Sequence, residues 1–350
     1  MKLAMFRVDT PVGPCERFGI VELEGGADDT IERARAAAGS VTDVNFAHAA
    51  MEADRGVANA TRRAAAFCPP DLQAYAELYG TDLALLEAVS AWMSQREVVT
   101  GPRGETVRWR LAEVALLPPV ARVPVLRDFA AFEDHLQNTF GKMGLQIPPV
   151  WYDQPTAFKG NPTTLLGHGT TVPWPRYTQK LDYELELAAV IGRPVRDIDI
   201  DEAEDAILGY TLLNDFSARD TQRGEMNVST GPYKGKDFAW GLGPWIVTPD
   251  ELGDPATLQM AVRVDGEIWA RSTPGPMHWS FPEVIAYTAQ DELMHVGEVL
   301  GSGTVNAGCG FEIDRWIQPG ATVELEADRI GVLRHHIGQP AGEPVRWSRR

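Results

Sequence analysis

Glu184-Leu185-Glu186 sets two carboxylates two residues apart, and the block Asn214-Asp215-Phe216-Ser217-Ala218-Arg219-Asp220-Thr221-Gln222 and then Lys236 follow it. Side chains alternate faces along a strand, so Glu184 and Glu186 point one way while Tyr183, Leu185 and Leu187 point the other. Asp182 falls on the carboxylate face. The run Leu187-Ala188-Ala189-Val190-Ile191 carries this strand into a core rather than along a wet edge. Like charges this close repel unless a proton or a cation lies between them, and a hard divalent cation is the economical answer. An isolated Glu-x-Glu is more often a solvated strand face, because charged residues are mostly exposed. The neighbouring motifs must decide between the two.

Asp128 and His135 stand seven residues apart, two turns along one face of a helix predicted to open at Asp128 as N-cap and run through Phe129, Phe132, Leu136 and Phe140. Gly141 and Gly144 close that helix and Pro148-Pro149 bars its return, so it reads as a lid bounded by glycines. Asp215, Ser217 and Arg219 alternate with Phe216 and Ala218, which on a strand puts carboxylate and guanidinium on one face. Lys236 follows Gly235, a residue that permits close backbone approach. Gly301-Ser302-Gly303-Thr304-Val305-Asn306-Ala307-Gly308-Cys309-Gly310-Phe311-Glu312 is rich in glycine, yet it matches no phosphate-loop spacing and no helix signal follows. It reads as a backbone-lined pocket wall carrying Thr304 and Glu312, and no organic cofactor is expected.

The elements that must position these groups are mostly strands. Two short strands surround Thr10-Pro11-Val12-Gly13-Pro14, and helical patches follow over Thr30 to Ala38, Val44 to Ala53 and Asp82 to Arg96. The segment Leu116 to Pro124 holds three prolines and divides a small N-terminal domain, 1–120, from a larger one, 121–350. Short helices are predicted near Glu202 to Ala206 and at Phe281 to Gln290, and a closing strand pair at Thr322 to Ala327 and Ile330 to Arg334. Without regular βαβ alternation, the fold class is a strand-rich α+β. At 350 residues, 44% hydrophobic and 23% charged, the chain is of globular type, and its net charge of −17 argues against nucleic acid or an anionic membrane as partner. Charge and Thr10-Pro11 interrupt the N-terminus before a signal peptide can develop. Cys15, Cys68 and Cys309 are scattered without CxxC spacing, which points to reduced thiols in a cytoplasm.

As a set, Leu181 to Gly192, Asn214 to Gln222, Gly235-Lys236-Asp237-Phe238, and Gly303-Thr304 leading to Glu312 resemble the fumarylacetoacetate hydrolase superfamily over residues 120–335. That resemblance implies a catalytic domain built as a mixed β-sandwich roll, a small SH3-like N-terminal barrel, and a homodimer. It implies that Glu184, Glu186 and Asp215, with Asp128, bind a divalent cation, Mg²⁺, Ca²⁺ or Mn²⁺. It further implies His135 as general base, Glu312 as its orienting carboxylate, and Arg219, Gln222 and Lys236 around a small anionic keto-acid substrate. The implied activity is hydrolysis of a carbon–carbon bond in a β-diketo acid such as an acylpyruvate, through a metal-bound enolate. A lyase or decarboxylase, a hydratase or an isomerase acting on a 2-keto acid shares that chemistry, and a non-catalytic binding protein could share the fold.

The departures bear on substrate. Ala130 stands where fumarylacetoacetases carry a tyrosine, Phe158 where they carry an aromatic hydroxyl, and Lys142 or Gly144 near where they carry an arginine. Trp240 replaces a small hydroxyl residue. The groups that would read a fumaryl chain are absent, and Phe158 and Trp240 suggest an apolar or aromatic wall. The helical stretch 30–96 exceeds what a small barrel needs.

Overall fold

The computed structural model describes residues 1–11, 13–24, 30–228 and 230–343. Leu185–Ile191 is buried at every position and lies between Ile207–Asp215 and Val299–Gly301 in a large mixed sheet. Such an unbroken apolar run suits a strand covered on both faces. Its two faces feed two cores. Tyr183, Leu185, Leu187, Ala189 and Ile191 pack with Val262, Val323, Leu325 and Leu333 of a second sheet. Ala188 and Val190 pack with Leu3, Ile20, Leu72, Tyr75 and Trp240 on the other side. Burying that much apolar surface on both faces, at roughly 25 cal/mol per Å², fixes the register of the strand that carries the carboxylates.

The large sheet runs in the order Arg108–Arg110, Gly39–Asp43, Gly13–Leu23, Lys2–Thr10, Trp240–Val247, Ile207–Asp215, Leu185–Ile191, Val299–Gly301, Leu126–Phe129, Ala157–Gly160. The second sheet comprises Glu267–Ser272, Met260–Val264, Thr322–Ala327, Gly331–Ile337 and Thr171–Val172. This is the strand-rich α+β architecture expected, including the closing strand pair, which is antiparallel with Leu325 opposite Leu333. The N-terminal hairpin extends the large sheet directly, with Lys2 opposite Val247 and Leu3 opposite Ile246.

Among its described residues the N-terminal segment also holds five α-helices: Thr30–Arg35, Val44–Asp54, Ala60–Phe67, Leu72–Tyr79 and Ala84–Ser94. Two of them, Ala60–Phe67 and Leu72–Tyr79, are additions to the sequence expectation. Asp71 accepts from the Ala74 amide at 2.8 Å and caps the latter just after Pro69-Pro70, a start signal legible in the chain. Asp43 caps Val44–Asp54 and also receives the Arg17 guanidinium, which ties the helices to the hairpin.

The helix expected from Asp128 is shorter. Leu126–Phe129 is a strand, parallel to Val299–Gly301 with Asp128 opposite Gly301, and the helix is Glu133–Lys142. Phe129 and Phe132 mimic helical spacing, but both are buried among the strands of the first core. Among the described residues no helix is long and apolar enough to cross a membrane, and the three cysteines are free.

Candidate active site and metal centre

Four carboxylates from three extended segments converge. Asp128, Glu184, Glu186 and Asp215 are all buried, and each offers an oxygen within 4.8 Å of the others. Glu184 and Glu186 share a face because the chain is extended there; Asp215 ends its strand, which pairs with theirs at Leu185 opposite Asn214. Asp128 arrives across the Val299–Gly301 strand, where no side chain intervenes. A Cβ on Gly301 would lie 2.7 Å from Asp128 Oδ1 and 2.9 Å from Glu186 Oε2.

Two cations enter this cluster. The Lys236 ammonium donates to both Glu184 and Asp215. Arg219 donates through Nη2 to Glu184 Oε1 at 2.7 Å and through Nε to Asp182 Oδ2 at 2.8 Å. Asp182 therefore stands outside the cluster of four and anchors Arg219, while the Gly310 and Phe311 amides donate to its two oxygens at 2.8 and 3.0 Å. The strand geometry expected for Arg219 is corrected: Ser217–Ala218 is a two-residue strand and Arg219 begins the helix Arg219–Met226, which lets the guanidinium turn back to Asp182.

Burial and charge set the protonation of the group. Burial foremost pushes Asp128 up to about 6, and burial together with the neighbouring carboxylates raises Glu186 and Asp215 well above the ordinary range. Burial opposes charge on Glu184 too, but Arg219 and Lys236 outweigh it and hold this carboxyl below its usual value. Burial likewise works against the Lys236 ammonium, yet Asp215 and Glu184 raise it above the ordinary lysine value. Three oxygens, Asp128 Oδ1, Glu186 Oε2 and Asp215 Oδ1, are buried with no hydrogen-bond partner. Buried polar atoms are rarely left so. An all-oxygen donor set with unsatisfied buried oxygens and excess negative charge fits a hard divalent cation.

Beside the cluster lies a second constellation. His135 Nδ1 is 2.9 Å from Glu312 Oε2, as the sequence resemblance implies. Glu312 Oε1 accepts from Asn138 Nδ2 and from the Ala307 amide, both at 3.1 Å. Burial would raise this carboxyl, but the His135 contact outweighs it and lowers it. The glycine-rich wall joins the two constellations, since Glu184 bridges Cys309 and the Leu185 amide donates to the Gly308 carbonyl. Its glycines are demanded by close approach: a Cβ on Gly310 would lie 2.1 Å from the Arg315 carbonyl oxygen.

The remaining expected residues fall as follows. Thr304 is buried with its hydroxyl 3.5 Å from Glu186 Oε1, and Gln222 accepts from Arg219 Nη1 at 3.2 Å. Gly235 permits the close approach expected of it, because a Cβ there would meet Gln222 Cα at 2.7 Å. Phe158 faces Lys236, with Nζ 5.7 Å from the ring centroid, and Ala130 lies half-buried between the strand Leu126–Phe129 and the helix Glu133–Lys142. Trp240 lies opposite Asp215 on the neighbouring strand. Its side chain is wholly enclosed behind Phe158, centroid to centroid 5.9 Å, because it fills the second core. Asn138 and Asp182 are the supporting residues that sequence reasoning missed or misplaced. Helical spacing could have found Asn138, three residues after His135.

A family model described as fumarylacetoacetate (FAA) hydrolase C-terminal matches residues 124–338, a stretch that contains every one of these groups. The chain belongs to the fumarylacetoacetate hydrolase family. Among family relatives, the oxaloacetate tautomerase YisK of Bacillus subtilis (strain 168) is 32% identical over 188 residues. That match covers 53% of this chain and 62% of the relative, so the chain spans less than two thirds of its length. Solved structures agree over nearly the whole fold. A 2-hydroxyhepta-2,4-diene-1,7-dioate isomerase from Mycobacterium marinum has a TM-score of 0.61 at 22% identity, covering 97% of this chain and 98% of that one. A fumarylacetoacetate hydrolase from psychrophilic Exiguobacterium antarcticum has a TM-score of 0.65 at 21% identity, covering 96% and 99%.

Proposed function

We propose that this chain is a divalent-cation-dependent hydrolase that cleaves a carbon–carbon bond in a β-diketo acid of the acylpyruvate type. The observation that carries this reading is the pairing of His135 with Glu312 directly beside the four-carboxylate cluster. Asp128, Glu184, Glu186 and Asp215 would hold Mg²⁺, Mn²⁺ or Ca²⁺. When bound, the cation supplies Lewis acidity toward the keto-acid oxygens.

The chain's own groups do the rest. Glu312 keeps a proton on His135 Nδ1 and leaves the other ring nitrogen free to take a proton from water. The hydroxide so formed adds to the distal carbonyl; the carbon–carbon bond breaks, its electron pair stays on the pyruvate fragment, and that carbon regains a proton. Products are a carboxylic acid and pyruvate. Lys236, pinned as a cation by Glu184 and Asp215, lowers the energy of the negative charge that develops. Arg219 and Gln222 line the anionic end and Phe158 the tail, while Ala130 in place of a polar group favours a less polar acyl chain than fumaryl. A homodimer in a cytoplasmic setting belongs to the same proposal.

A second reading is favoured by the tautomerase and isomerase among the relatives. There His135 takes the proton from substrate carbon instead of water, and no bond between carbons breaks. Incubation of the Mg²⁺- or Mn²⁺-loaded enzyme with acylpyruvates and with oxaloacetate separates the two. Pyruvate with an equimolar acid supports hydrolysis. Enol-to-keto conversion with no cleavage overturns it in favour of tautomerisation.

A further inference from the structure

Cys309 is buried inside the glycine-rich wall with its thiol 3.4 Å from Glu312 Oε2, the same oxygen that meets His135 Nδ1. His135, Cys309 and Glu312 each offer one ligand atom, and the three lie within 4.8 Å of one another. The donor chemistry is nitrogen, sulfur and oxygen, unlike the all-oxygen set next door. That difference selects a different metal, because a borderline-soft ion accepts imidazole and thiolate where Mg²⁺ and Ca²⁺ do not.

We infer that His135, Cys309 and Glu312 form a second, inhibitory site for Zn²⁺, which binds by inserting between the base and its orienting carboxylate. A tetrahedral zinc ion with ligands at about 2.0–2.3 Å holds nitrogen and oxygen roughly 3.4 Å apart, and sulfur and oxygen roughly 3.6 Å apart. The observed separations, 2.9 and 3.4 Å, need to open by only a few tenths of an ångström. Three protein ligands leave a fourth position for water, reached from the partly exposed His135 side. Binding displaces the thiol proton to solvent and shifts the imidazole proton from Nδ1 to the other ring nitrogen. Occupancy therefore puts a proton on the ring nitrogen that must accept one from water, so the base is lost while the carboxylate cluster keeps its own cation. The inhibitory consequence rests on His135 acting as base; the binding does not.

The test uses Co²⁺ as a spectroscopic stand-in and Zn²⁺ as inhibitor. With the carboxylate cluster saturated by Mg²⁺, added Co²⁺ should give a thiolate charge-transfer band in the near ultraviolet, and Cys309→Ser and Cys309→Ala should both abolish it. No band in the parent protein, or a band that survives in folded Cys309 variants and so comes from Cys15 or Cys68, overturns the site whatever the reaction proves to be. Each variant's turnover is then measured with buffered Zn²⁺ relative to its own zinc-free rate. Loss of the thiolate ligand should raise the half-inhibitory zinc concentration about tenfold or more. Inhibition that is unchanged in the variants and relieved by raising Mg²⁺ belongs to the carboxylate cluster and refutes the inference.

Discussion

His135 Nδ1 and Glu312 Oε2 meet at 2.9 Å, and the carboxylate that makes this contact is itself fixed by Asn138 and the Ala307 amide. The imidazole is therefore oriented by a group that cannot rotate away. His135→Ala should lower turnover by about 10²–10⁴-fold with cation affinity unchanged. Glu312→Gln should keep the geometry and lose the charge, so it lowers kcat more than it raises KM. Steady-state kinetics beside calorimetric Mn²⁺ titration checks both. Full activity in His135→Ala would remove this residue from the mechanism.

Gly301 is the gap through which Asp128 and Glu186 reach each other. Adding a methyl there places carbon 2.7 and 2.9 Å from their oxygens, and 2.6 Å from Leu213 Cδ2. Gly301→Ala should cost about 1–3 kcal/mol of stability and lower cation affinity at least tenfold, since two donors must move. Thermal unfolding with and without Mn²⁺ reads both effects. In the parent protein a cation at 100 times its Kd should add about 2.7 kcal/mol of stability. A variant that keeps this increment would show that the cluster does not hold the ion.

The carboxylate strand was the most legible part of the chain, because period-two alternation and the apolar run after Glu186 both survive in the structure. Asp128 was legible as a site residue but not as a strand residue. Its partner, Gly301, lies far along the chain, and local spacing carries no trace of that pairing, while phenylalanines at 129 and 132 imitate a helical stripe. The surroundings of Trp240 were hidden for a related reason. The register opposite Asp215 puts it on the carboxylate face, while Phe158 packs against its ring and the second core encloses it, and local spacing shows neither. Asp182 shows the same limit: alternation put it beside Glu184, but the turn of the chain at Arg219 ties it to that guanidinium and keeps it outside the cluster of four.

His335 and His168 give the fold an acid sensitivity separate from the site. Burial lowers His335 to about 3 and His168 to about 4, against about 6.5 in an unfolded chain. His335 is fully enclosed, edge-on to Phe216 at 5.4 Å. Between these values the unfolded chain binds protons that the fold excludes, so stability is full above about pH 7 and falls as pH drops toward 4. The slope is at most about 1.4 kcal/mol per pH unit for each histidine. Urea unfolding at several pH values, with cation saturating, should show this slope and a shallower one in His335→Leu. Identical slopes would mean that His335 does not titrate as argued.

The helix that carries His135 is held lightly. Of Glu133–Lys142 only Leu136 and Thr139 are buried, Gly141 lies in the last turn, and Gly144 just beyond the helix takes φ +72°. Its far end is tethered by Lys142 Nζ to Asp314 Oδ2 at 2.7 Å and to the Phe311 carbonyl at 3.0 Å, and its middle by Asn138 to Asn306 at 3.0 Å. Elements with few buried contacts open at low cost, which suits a lid over a site that must admit substrate and exclude water. Hydrogen exchange should therefore show amides of this helix gaining protection when Mn²⁺ and oxalate are added. Asp314→Asn keeps a residue that tolerates the left-handed backbone at this position, φ 53°, and removes the charge that Lys142 grips. It should raise exchange of the unliganded helix and leave the liganded state close to that of the parent. Equal protection in all four conditions would show that the helix is a fixed wall and that substrate enters elsewhere.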